Sequence, residues 1–429
     1  MPIRIAFVLF YVEAWDSLAE THRLMSRDDR FEVKVVAVPK RLTGDVGFDD
    51  AADASSFLSA AGIEHDVWAF EDDGSQAAEL LRDWAPDYVF MNYPWQRNYQ
   101  RKLRPDALIK FTRIAYVPYF SLSLVKEPDG AGGFIDGVAP HYFTQRMHQV
   151  ASLIFVQSDE VREAFAGTER GTHGVVVVGS PKLDAMVAEY ESSTRLGSAA
   201  DAGFGRGGFE RRVVFAPHHS YSPHWLNFGT FAHVKDSILG MAITHAETQF
   251  VLRAHPFMWG TLVDRKVLTR AEVDAWLAAW NALPNTADSA TWSLAEVFDC
   301  EVLISDGISF LAEYPLVTGR PGLFIERADH WPFTPLGELA AAANLAVDMN
   351  DTNVAIFENL LQQFESTPNP QLSHAIANLK RAAMPHAGQA ANRIVESVLS
   401  HWSQKPGLVD TTTITEVPWE LQTGREPQD

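Results

Sequence analysis

Two stretches of this sequence indicate its fold most directly: Gln249-Phe-Val-Leu-Arg-Ala-His-Pro256 and Glu301-Val-Leu-Ile-Ser-Asp-Gly-Ile-Ser309. Each begins as an apolar run typical of a buried strand and ends in polar residues. A guanidinium and an imidazole end the first run, and a hydroxyl and a carboxylate end the second. In open parallel α/β sheets, ligands bind beyond the carboxyl ends of the strands. The two stretches therefore predict a ligand site at one edge of such a sheet.

A helical pattern over 308–318 follows the second stretch directly. Its first turn would direct unpaired backbone N–H groups and the positive end of the helix dipole at the expected site, which suits phosphate. Gly307 permits close backbone approach, and Ser309 can cap the helix or offer its hydroxyl to a ligand. Glu313 lies one turn further on the same side, where a carboxylate suits the hydroxyls of a ribose. The alternative is a capped helix with an incidental acid, because Ser and Asp are ordinary caps.

Strand-like runs alternate with helical patterns along most of the chain. Continuous Val/Ile/Phe-rich runs indicate strands that are covered on both faces. Such strands are expected at 3–10, 31–38, 86–92, 113–120, 152–157, 174–178, 211–216, 249–253, 301–305, 321–325 and 344–348. Helices are expected near 17–27, 50–61, 75–84, 140–150, 159–166, 226–246, 269–282, 292–299, 308–318, 352–365, 370–382 and 388–402. This alternation predicts an α/β protein with doubly wound parallel sheets.

The chain is long enough for more than one domain, because 429 residues exceed what one core usually serves. A small, polar and glycine-rich segment lies near the middle, and such composition is typical of a linker. We expect an N-terminal domain over 1–188, a linker over 189–210 and a C-terminal domain over 211–402. The remainder, 403–429, is expected to be an extended tail, which the side chain of Trp419 could anchor to the rest of the protein.

The composition excludes some classes of partner. The net charge is −20, from 35 Lys and Arg against 55 Asp and Glu, which argues against nucleic acid as a partner. Cys300 is the single cysteine, so no internal disulfide forms and a cytoplasmic location is favoured. No apolar run of about 18 residues is present to span a membrane. No Walker, Gly-x-Gly-x-x-Gly or Gly-x-Ser-x-Gly motif occurs, and no cofactor is indicated.

A histidine-rich loop follows the first expected strand of the second half. It contains Pro217, His218 and His219, with His224 nearby. Three histidines could bind a metal, but no carboxylate or cysteine completes the set locally, so no metal site is expected. Phosphate binding, proton transfer and plain loop histidines remain the alternatives.

Several residues of the first half could contact an anionic acceptor. Basic residues are concentrated between Arg97 and Arg113, and this block includes Arg101. Tyr116 and Tyr119 end a strand, and Lys182 follows another. These side chains could bind the acceptor, or contact a membrane peripherally. The alternative is that the basic block is simply the solvated face of a helix.

The second half resembles the CDP-glycerol glycerophosphotransferase family, whose members build teichoic acids and related polymers. Members carry an Arg-Pro-His-Pro turn, similar to 253–256 here. They also carry an Asp-Val-Leu-Ile-Thr-Asp-x-Ser-Ser run that leads to an acid, similar to 301–309 followed by Glu313. A Gly/Lys-Pro segment entering a strand resembles 319–321. The similar region runs from about 213 to 333.

The resemblance implies a GT-B architecture, with two Rossmann-like domains facing across a cleft. It also implies that Arg253 and His255 contact or protonate the phosphates of a CDP-activated polyol. His218 is a further candidate catalytic residue. The residues implied to surround the phosphate and ribose are Ser305, Asp306, Ser309 and Glu313. Further candidates for donor binding are Pro217, His219, Gly307 and Ile308. The acceptor would be an anionic polymer or glycan.

The chain departs from the family pattern in the first half. Active polymerases of the family carry a His-Gly-Thr motif there, and the corresponding strand end here is Tyr116-Val-Pro-Tyr119. One alternative is therefore a non-catalytic GT-B protein that binds a glycan. Another is a GT-B enzyme for a nucleotide sugar, either a glycosyltransferase or a UDP-sugar 2-epimerase, since 305–313 partly matches the epimerase Ser/Thr-Asp-Ser-Gly-Gly-x-x-Glu-Glu run.

Overall fold

The computed structural model describes residues 1–41, 47–119, 122–197, 208–209, 211–255, 257–290, 292–366 and 369–409. The described chain forms two compact units, each built on a parallel β-sheet. Unit 1 comprises Met1–Leu122, Val138–Ala185 and the C-terminal segment that begins at Ala383. Unit 2 comprises Ser123–Gly137 and Met186–Ala382. The two sheets confirm the expected fold class.

The sheet of unit 1 has seven described strands in the order β3-β2-β1-β4-β5-β6-β7. Their bounds are β1 Ile3–Leu9, β2 Phe31–Ala37, β3 Asp66–Val67, β4 Tyr88–Met91, β5 Arg113–Tyr116, β6 Leu153–Val156 and β7 Val175–Val177. Alternate residues of β1 enter different cores, with Ala6 and Val8 on one face and Phe7 and Leu9 on the other. Because both faces are covered, the central strands are mostly apolar, as in the Tyr-Val-Phe-Met of β4 and the Leu-Ile-Phe-Val of β6.

The sheet of unit 2 has six described strands in the order β10-β9-β8-β11-β12-β13. Their bounds are β8 Arg211–Ala216, β9 Thr248–Leu252, β10 Thr286–Asp288, β11 Val302–Ser305, β12 Leu323–Glu326 and β13 Leu345–Asp348. The chain moves outward from β8 to β10 and then returns to the other side of β8 as β11. The strand order therefore reverses between β8 and β11, and this switch point is where a doubly wound sheet binds ligands.

Sixteen described helices cover the faces of the two sheets. They are α1 Asp16–Met25, α2 Ala52–Ala60, α3 Ser75–Trp84, α4 Pro105–Leu108, α5 Arg146–Val150, α6 Asp159–Ala164, α7 Pro181–Gly197, α8 Phe231–Thr244, α9 Met258–Asp264, α10 Arg270–Asn281, α11 Leu294–Phe298, α12 Ile308–Thr318, α13 Pro335–Ala342, α14 Val354–Ser366, α15 Pro370–Ala383 and α16 Ala390–Ser403. No helix within the described ranges is long and apolar enough to cross a membrane.

The boundaries of the units differ from the expected domains in two places. Residues 189–197, expected to belong to a linker, continue α7, while most of 198–210 lies outside the described residues. Helix α16 packs on unit 1 rather than unit 2. The carboxylate of Asp184 accepts the backbone N–H groups of Gly388 and Ala390 at 2.7 and 3.0 Å, and Ile394 and Val398 are buried in the unit 1 core.

The expected C-terminal tail is only partly described. Residue 403 ends α16, and the guanidinium of Arg113 donates a hydrogen bond from Nε to the Pro406 carbonyl at 3.1 Å. The first residues after the helix are therefore packed against unit 1. Trp419 lies outside the described residues.

Residues 123–137, which we call the arm, leave the first half of the chain between β5 and β6 and belong to unit 2. Val125 of the arm pairs with Phe333 in an antiparallel bridge. Thr334 donates from its backbone N–H to the Leu124 carbonyl at 3.0 Å and from its hydroxyl to the Ser123 carbonyl at 2.7 Å. These contacts hold the arm against the start of α13.

Gly337, the third residue of α13, allows this close approach, because a Cβ there would collide with the Leu124 carbonyl oxygen. We expect Gly337→Ala to lower the free energy of unfolding by about 2 kcal/mol through overpacking. Gly260 is the third residue of α9 and has nothing near its would-be Cβ, so Gly260→Ala should raise stability by about 0.5 kcal/mol. Urea denaturation of both variants measures the two changes. Equal changes in the free energy of unfolding for the two variants would show that the arm does not constrain α13.

Candidate functional site

The carboxyl ends of three neighbouring strands meet at the switch point of the unit 2 sheet. Strand β8 lies between β9 and β11, with Phe215 paired to Leu252 and Ala216 paired to Ser305. The loops that follow these strands carry most of the residues expected to bind the donor. The two stretches that predicted a ligand site therefore lie at the same edge of one sheet, with the histidine-rich loop between them.

His218 lies between the two predicted stretches. Its ring is 5.9 Å from the ring of His255, measured between centroids. On its other side, a Cβ at Gly307 would lie 2.9 Å from its Cδ2 atom. Its Nδ1 accepts the backbone N–H of Ser220 at 3.2 Å and lies 2.8 Å from the Ser220 hydroxyl. These contacts fix the ring, and the glycine at 307 makes room for it.

Asp306 holds the loop after β8 against the end of β11. It is fully buried, and one carboxylate oxygen accepts the His218 backbone N–H at 2.5 Å. The other oxygen accepts the backbone N–H and the hydroxyl of Thr230 at 2.6 and 2.8 Å. Burial raises the pKa of Asp306 to about 6, although these hydrogen bonds oppose the change. The side chain therefore positions its neighbours and offers no free face to a ligand.

His219 and His255 form a stacked pair, with ring centroids 3.7 Å apart and planes inclined by 19°. Trp225 lies 5.0 Å from His219, and Phe257 lies 5.4 Å from His255. The Nδ1 atom of His255 accepts the backbone N–H of Phe257 at 3.2 Å. Among the described residues, the buried Nδ1 of His219 has no hydrogen-bond partner. Pro256, which follows His255, lies outside the described residues.

The loop that carries Trp225 is strained. Leu226 and Asn227 both adopt left-handed backbone conformations with φ of 59°, which non-glycine residues rarely do. The Asn227 side chain donates to the Asp329 carboxylate at 3.0 Å, and the backbone N–H of Trp331 donates to the Leu226 carbonyl at 3.0 Å. Strain of this kind persists where surrounding contacts impose it, often beside functional sites.

The three histidines are uncharged at neutral pH. Desolvation by burial, followed by repulsion from the neighbouring rings, lowers the pKa of His218 to about 3 and that of His219 to about 4. Burial also lowers the pKa of His255. The cluster therefore presents neutral imidazoles rather than cations. No group of three or more His, Cys, Asp or Glu suited to a metal ion occurs in the part of the chain that the structure describes.

Arg253 supplies a positive charge at the end of β9. Its guanidinium donates from Nη1 to the Ser289 carbonyl, and its backbone N–H donates to the Phe215 carbonyl at 2.8 Å. The side chain is half-buried, and desolvation lowers its pKa while Asp288 opposes the change. An arginine remains protonated under these conditions, so the positive charge persists at the end of β9.

Helix α12 begins at the same edge without a side-chain cap. Gly307 precedes it, Ile308 is half-exposed, and Ser309 is exposed in its first turn. Ser305 is buried at the end of β11, and Pro217 is buried at the end of β8. Glu313 is half-buried one turn further along. The start of an eleven-residue helix provides N–H donors and a partial positive charge for an anion.

Only some of the unit 1 residues that were expected to bind an acceptor are accessible to one. Tyr116 was expected to contact an acceptor, but its ring is fully buried in the core, because β5 lies in the middle of a covered sheet. Tyr119, Arg97 and Lys182 are half-exposed, and Arg101 is exposed. Tyr119 stacks on Tyr93 at 4.9 Å, which places it at the carboxyl edge of the unit 1 sheet.

The basic block between 97 and 113 does not form one surface. Arg113 begins β5 and therefore lies at the opposite edge of the sheet from Tyr119, where it stacks on Trp402 at 5.3 Å. Arg104 donates from Nε to the Tyr99 carbonyl at 3.3 Å. Arg101 and Lys102 are exposed. Charge clustering in the sequence therefore overestimated the size of a common anion-binding face.

Sequence reasoning missed several residues that surround the two switch points. In unit 2 these are Thr230, which holds Asp306, and Trp225, which packs on His219. In unit 1 they are Tyr11 and Tyr93, which contact Tyr119. Tyr11 and Tyr93 each come directly after an expected strand, so the strand-end rule that selected Tyr119 could also have found them.

Comparison with known proteins identifies the fold. No protein-family model matches the chain, and no curated protein matches its sequence. Among solved structures, a UDP-GlcNAc 2-epimerase from Neisseria meningitidis bound to UDP-GlcNAc matches with a TM-score of 0.61 at 15% identity, over 93% of this chain and 100% of that chain. A UDP-GlcNAc 2-epimerase from Methanocaldococcus jannaschii matches with a TM-score of 0.57 at 11% identity, over 93% and 100%.

The wall teichoic acid polymerase TagF, in a crystal soaked with CDPG, also matches. The TM-score is 0.54 at 12% identity, over 94% of this chain and 89% of that chain. At such identities the matches establish a shared fold. Together with the two doubly wound parallel sheets, they show that this chain has the GT-B fold.

The lowered histidine pKa values predict that the protein loses stability in acid. An unfolded histidine binds a proton below about pH 6.5, but folded His218 and His219 do so only near pH 3 and pH 4. The contribution of these two neutral rings to the free energy of unfolding is therefore complete above about pH 6.5 and is lost as the pH falls towards 4. The stability difference between wild type and His219→Gln should shrink over this range, as measured by urea denaturation.

His224→Gln is the matched control, because His224 is exposed in the same loop region. Its stability should differ little from that of the wild type, because the substitution changes an exposed side chain. If the His219→Gln difference instead grew in acid, His219 would be charged in the folded protein.

Proposed function

We propose that this chain is an enzyme that uses a nucleotide-activated donor, and specifically a CDP-activated polyol such as CDP-glycerol. It transfers the polyol phosphate to a hydroxyl of a cell-surface polymer or glycan and releases CMP. The observation that carries the proposal is that the His219–His255 pair, the His218 ring and the uncapped start of α12 lie together at the unit 2 switch point, with Arg253 at the end of neighbouring β9. A diphosphate is the ligand that these groups suit together.

Electrostatics favour a diphosphate at this position. Arg253 contributes a full positive charge, and the start of α12 contributes backbone N–H donors with a partial positive charge. Both are partly shielded from water, which strengthens their effect on charge that develops on a leaving group. The chain as a whole is acidic, so this local arrangement would have to provide the attraction.

Hydrogen bonds to the backbone assign the histidine tautomers. Since Nδ1 of His255 accepts the Phe257 N–H and Nδ1 of His218 accepts the Ser220 N–H, each neutral ring carries its proton on Nε2. Nε2–H groups are donors, which suits phosphate oxygens. His219 has no such contact from the backbone at Nδ1. We therefore assign phosphate binding to His255. Because Nδ1 of His219 is buried, we assign the proton acceptor role to the Nε2 atom of His219.

The proposed step is a displacement at phosphorus. The acceptor oxygen attacks the phosphorus nearest the polyol, the bond from that phosphorus to the bridging oxygen breaks, and CMP departs with the bond electrons. The proton of the acceptor hydroxyl passes to a neutral imidazole, for which we propose His219. Arg253, His255 and the α12 start would stabilise the charge on the departing phosphate. Glu313 would bind the ribose.

A UDP-sugar 2-epimerase is the second candidate, since the epimerase from Neisseria meningitidis matches with a TM-score of 0.61. The same anion site would then bind UDP. Residues 305–313 lack the paired glycines of the epimerase run, which favours the transferase. The nucleoside base and the fate of the sugar or polyol distinguish the two candidates.

We expect His255→Ala to lower CMP release from CDP-glycerol by about 10²- to 10³-fold, because it removes one donor to the phosphates. His224→Ala should leave the rate unchanged, since this histidine of the same loop region is exposed to solvent. Turnover is measured by chromatography of CMP, with circular dichroism as the check on folding. Unchanged turnover in a folded His255→Ala would remove His255 from the mechanism.

Thermal shift distinguishes the two donors, since a ligand that binds only the folded state raises the melting temperature. A transferase of the proposed class should be stabilised more by CDP than by UDP at equal concentration. Stronger stabilisation by UDP, together with exchange of the C2 hydrogen of UDP-GlcNAc in heavy water, would instead identify the epimerase. Absence of stabilisation by either nucleotide would favour a non-catalytic role.

A further inference from the structure

The switch point of the unit 1 sheet lies between β1 and β4, where the strand order reverses. Three tyrosines occupy its carboxyl edge. Tyr11 follows β1 by two residues, Tyr93 follows β4 by two residues, and Tyr119 follows β5 by three. All three are half-exposed. We call them the tyrosine platform.

The rings of the tyrosine platform form a corner. Tyr93 and Tyr119 stack at 4.9 Å with planes inclined by 23°, while Tyr11 stands edge-on to both, at 5.4 and 6.1 Å. A planar nucleobase prefers two parallel faces. A puckered ring with polar groups at its edges fits a corner better, because its C–H faces meet the electron-rich ring faces and its hydroxyls meet the phenols.

Buried aromatic residues support the platform from below. Phe10 contacts Tyr93 edge-on at 5.2 Å, and the hydroxyl of fully buried Tyr99 donates to the Tyr93 carbonyl at 3.1 Å. The Tyr119 backbone N–H donates to the Asn92 carbonyl at 3.1 Å. These contacts fix the positions of the rings before any ligand arrives, which lowers the entropy cost of binding.

Two cations lie close to the platform. Arg97 is near enough to oppose the rise in the pKa of Tyr93, and Lys182 opposes that of Tyr119, although burial dominates for both tyrosines. The phenols therefore stay neutral hydrogen-bonding groups. Positive neighbours disfavour a cationic ligand and favour an anionic one.

We propose that the tyrosine platform binds a sugar ring that carries a negative charge, and that the acceptor of the transfer reaction is therefore a phosphorylated or acidic saccharide rather than a linear polyol phosphate. The inference rests on the proposed function for its biological role. The binding site itself follows from the rings and cations of unit 1, and it can be tested without turnover.

The test uses D-glucose 6-phosphate as the probe and sn-glycerol 1-phosphate as an anion without a ring. Both are titrated into the full chain in the presence of excess CMP, and saturation-transfer NMR reports which ligand protons touch the protein. The expected result is saturable binding of the sugar phosphate, with the strongest transfer to ring C–H protons and weaker binding of glycerol phosphate.

Substitutions in the tyrosine platform test whether the sugar phosphate binds there. Tyr93→Ala should weaken sugar phosphate binding by about tenfold, whereas Tyr93→Phe, which keeps the ring, should change it by less than about threefold. Phe57→Ala is the control, since Phe57 is an exposed aromatic residue of α2 elsewhere on unit 1. If Tyr93→Ala is poorly folded, Tyr11→Ala decides in its place.

Three results would overturn the inference: no saturable sugar binding, equal affinity for glycerol phosphate, or binding that the tyrosine variants leave unchanged. Thermal shift with CDP on the same samples tests the donor site separately. If CDP does not raise the melting temperature but the sugar phosphate still binds, the proposed function is refuted and the tyrosine platform is not. If CDP raises the melting temperature but the sugar phosphate does not bind, only the tyrosine platform is refuted.

Discussion

The buried carboxylate of Asp306 is the constraint on which the unit 2 site depends. It accepts hydrogen bonds from the His218 backbone, the Thr230 backbone and the Thr230 hydroxyl, and so joins the ends of β8 and β11 to the start of α8. A buried carboxylate is costly unless donors surround it. Here three donors do so, and their positions set the direction of the loop that carries His218 and His219. The glycine at 307 completes the arrangement, because any side chain there would displace the His218 ring.

The same burial that organises this loop also controls its charge. Desolvation keeps His218 and His219 neutral, while Arg253 and the start of α12 remain positive. A site of this kind separates two tasks. In the proposed function, the fixed positive groups would attract an anion, and the neutral imidazoles would donate or accept single hydrogen bonds and protons. Strain at Leu226 and Asn227 beside Trp225 indicates that the surrounding loop is held in place by its contacts rather than by its own preferences.

Most strands and helices could be predicted from the sequence in their order, but helices α4, α7, α9 and α13 were not expected, and the division of the chain could not be predicted. Strands β1, β8 and β11 lie within largely apolar runs rich in Val, Ile and Phe, which are typical of strands in a covered parallel sheet. The edge strands β3 and β10 have two and three residues and were not expected, because so short a segment carries no periodic signal. The arm at 123–137 and helix α16 each belong to the unit that sequence position does not suggest. Their placement depends on contacts with residues distant in sequence, such as Gly337 for the arm and Asp184 for α16.

The sequence by itself determined which residues end strands and therefore which residues gather at the carboxyl edge of a sheet. Arg253, His255 and Gly307 were identified in this way, because strand ends and helix starts are local properties of the chain. Only the tertiary structure decided what each residue does there. It showed Asp306 as a buried brace and Tyr116 as core, and it brought Tyr11 and Tyr93 beside Tyr119. The physical reason is that burial, hydrogen-bond partners and proton affinity depend on neighbours that fold in from elsewhere in the chain.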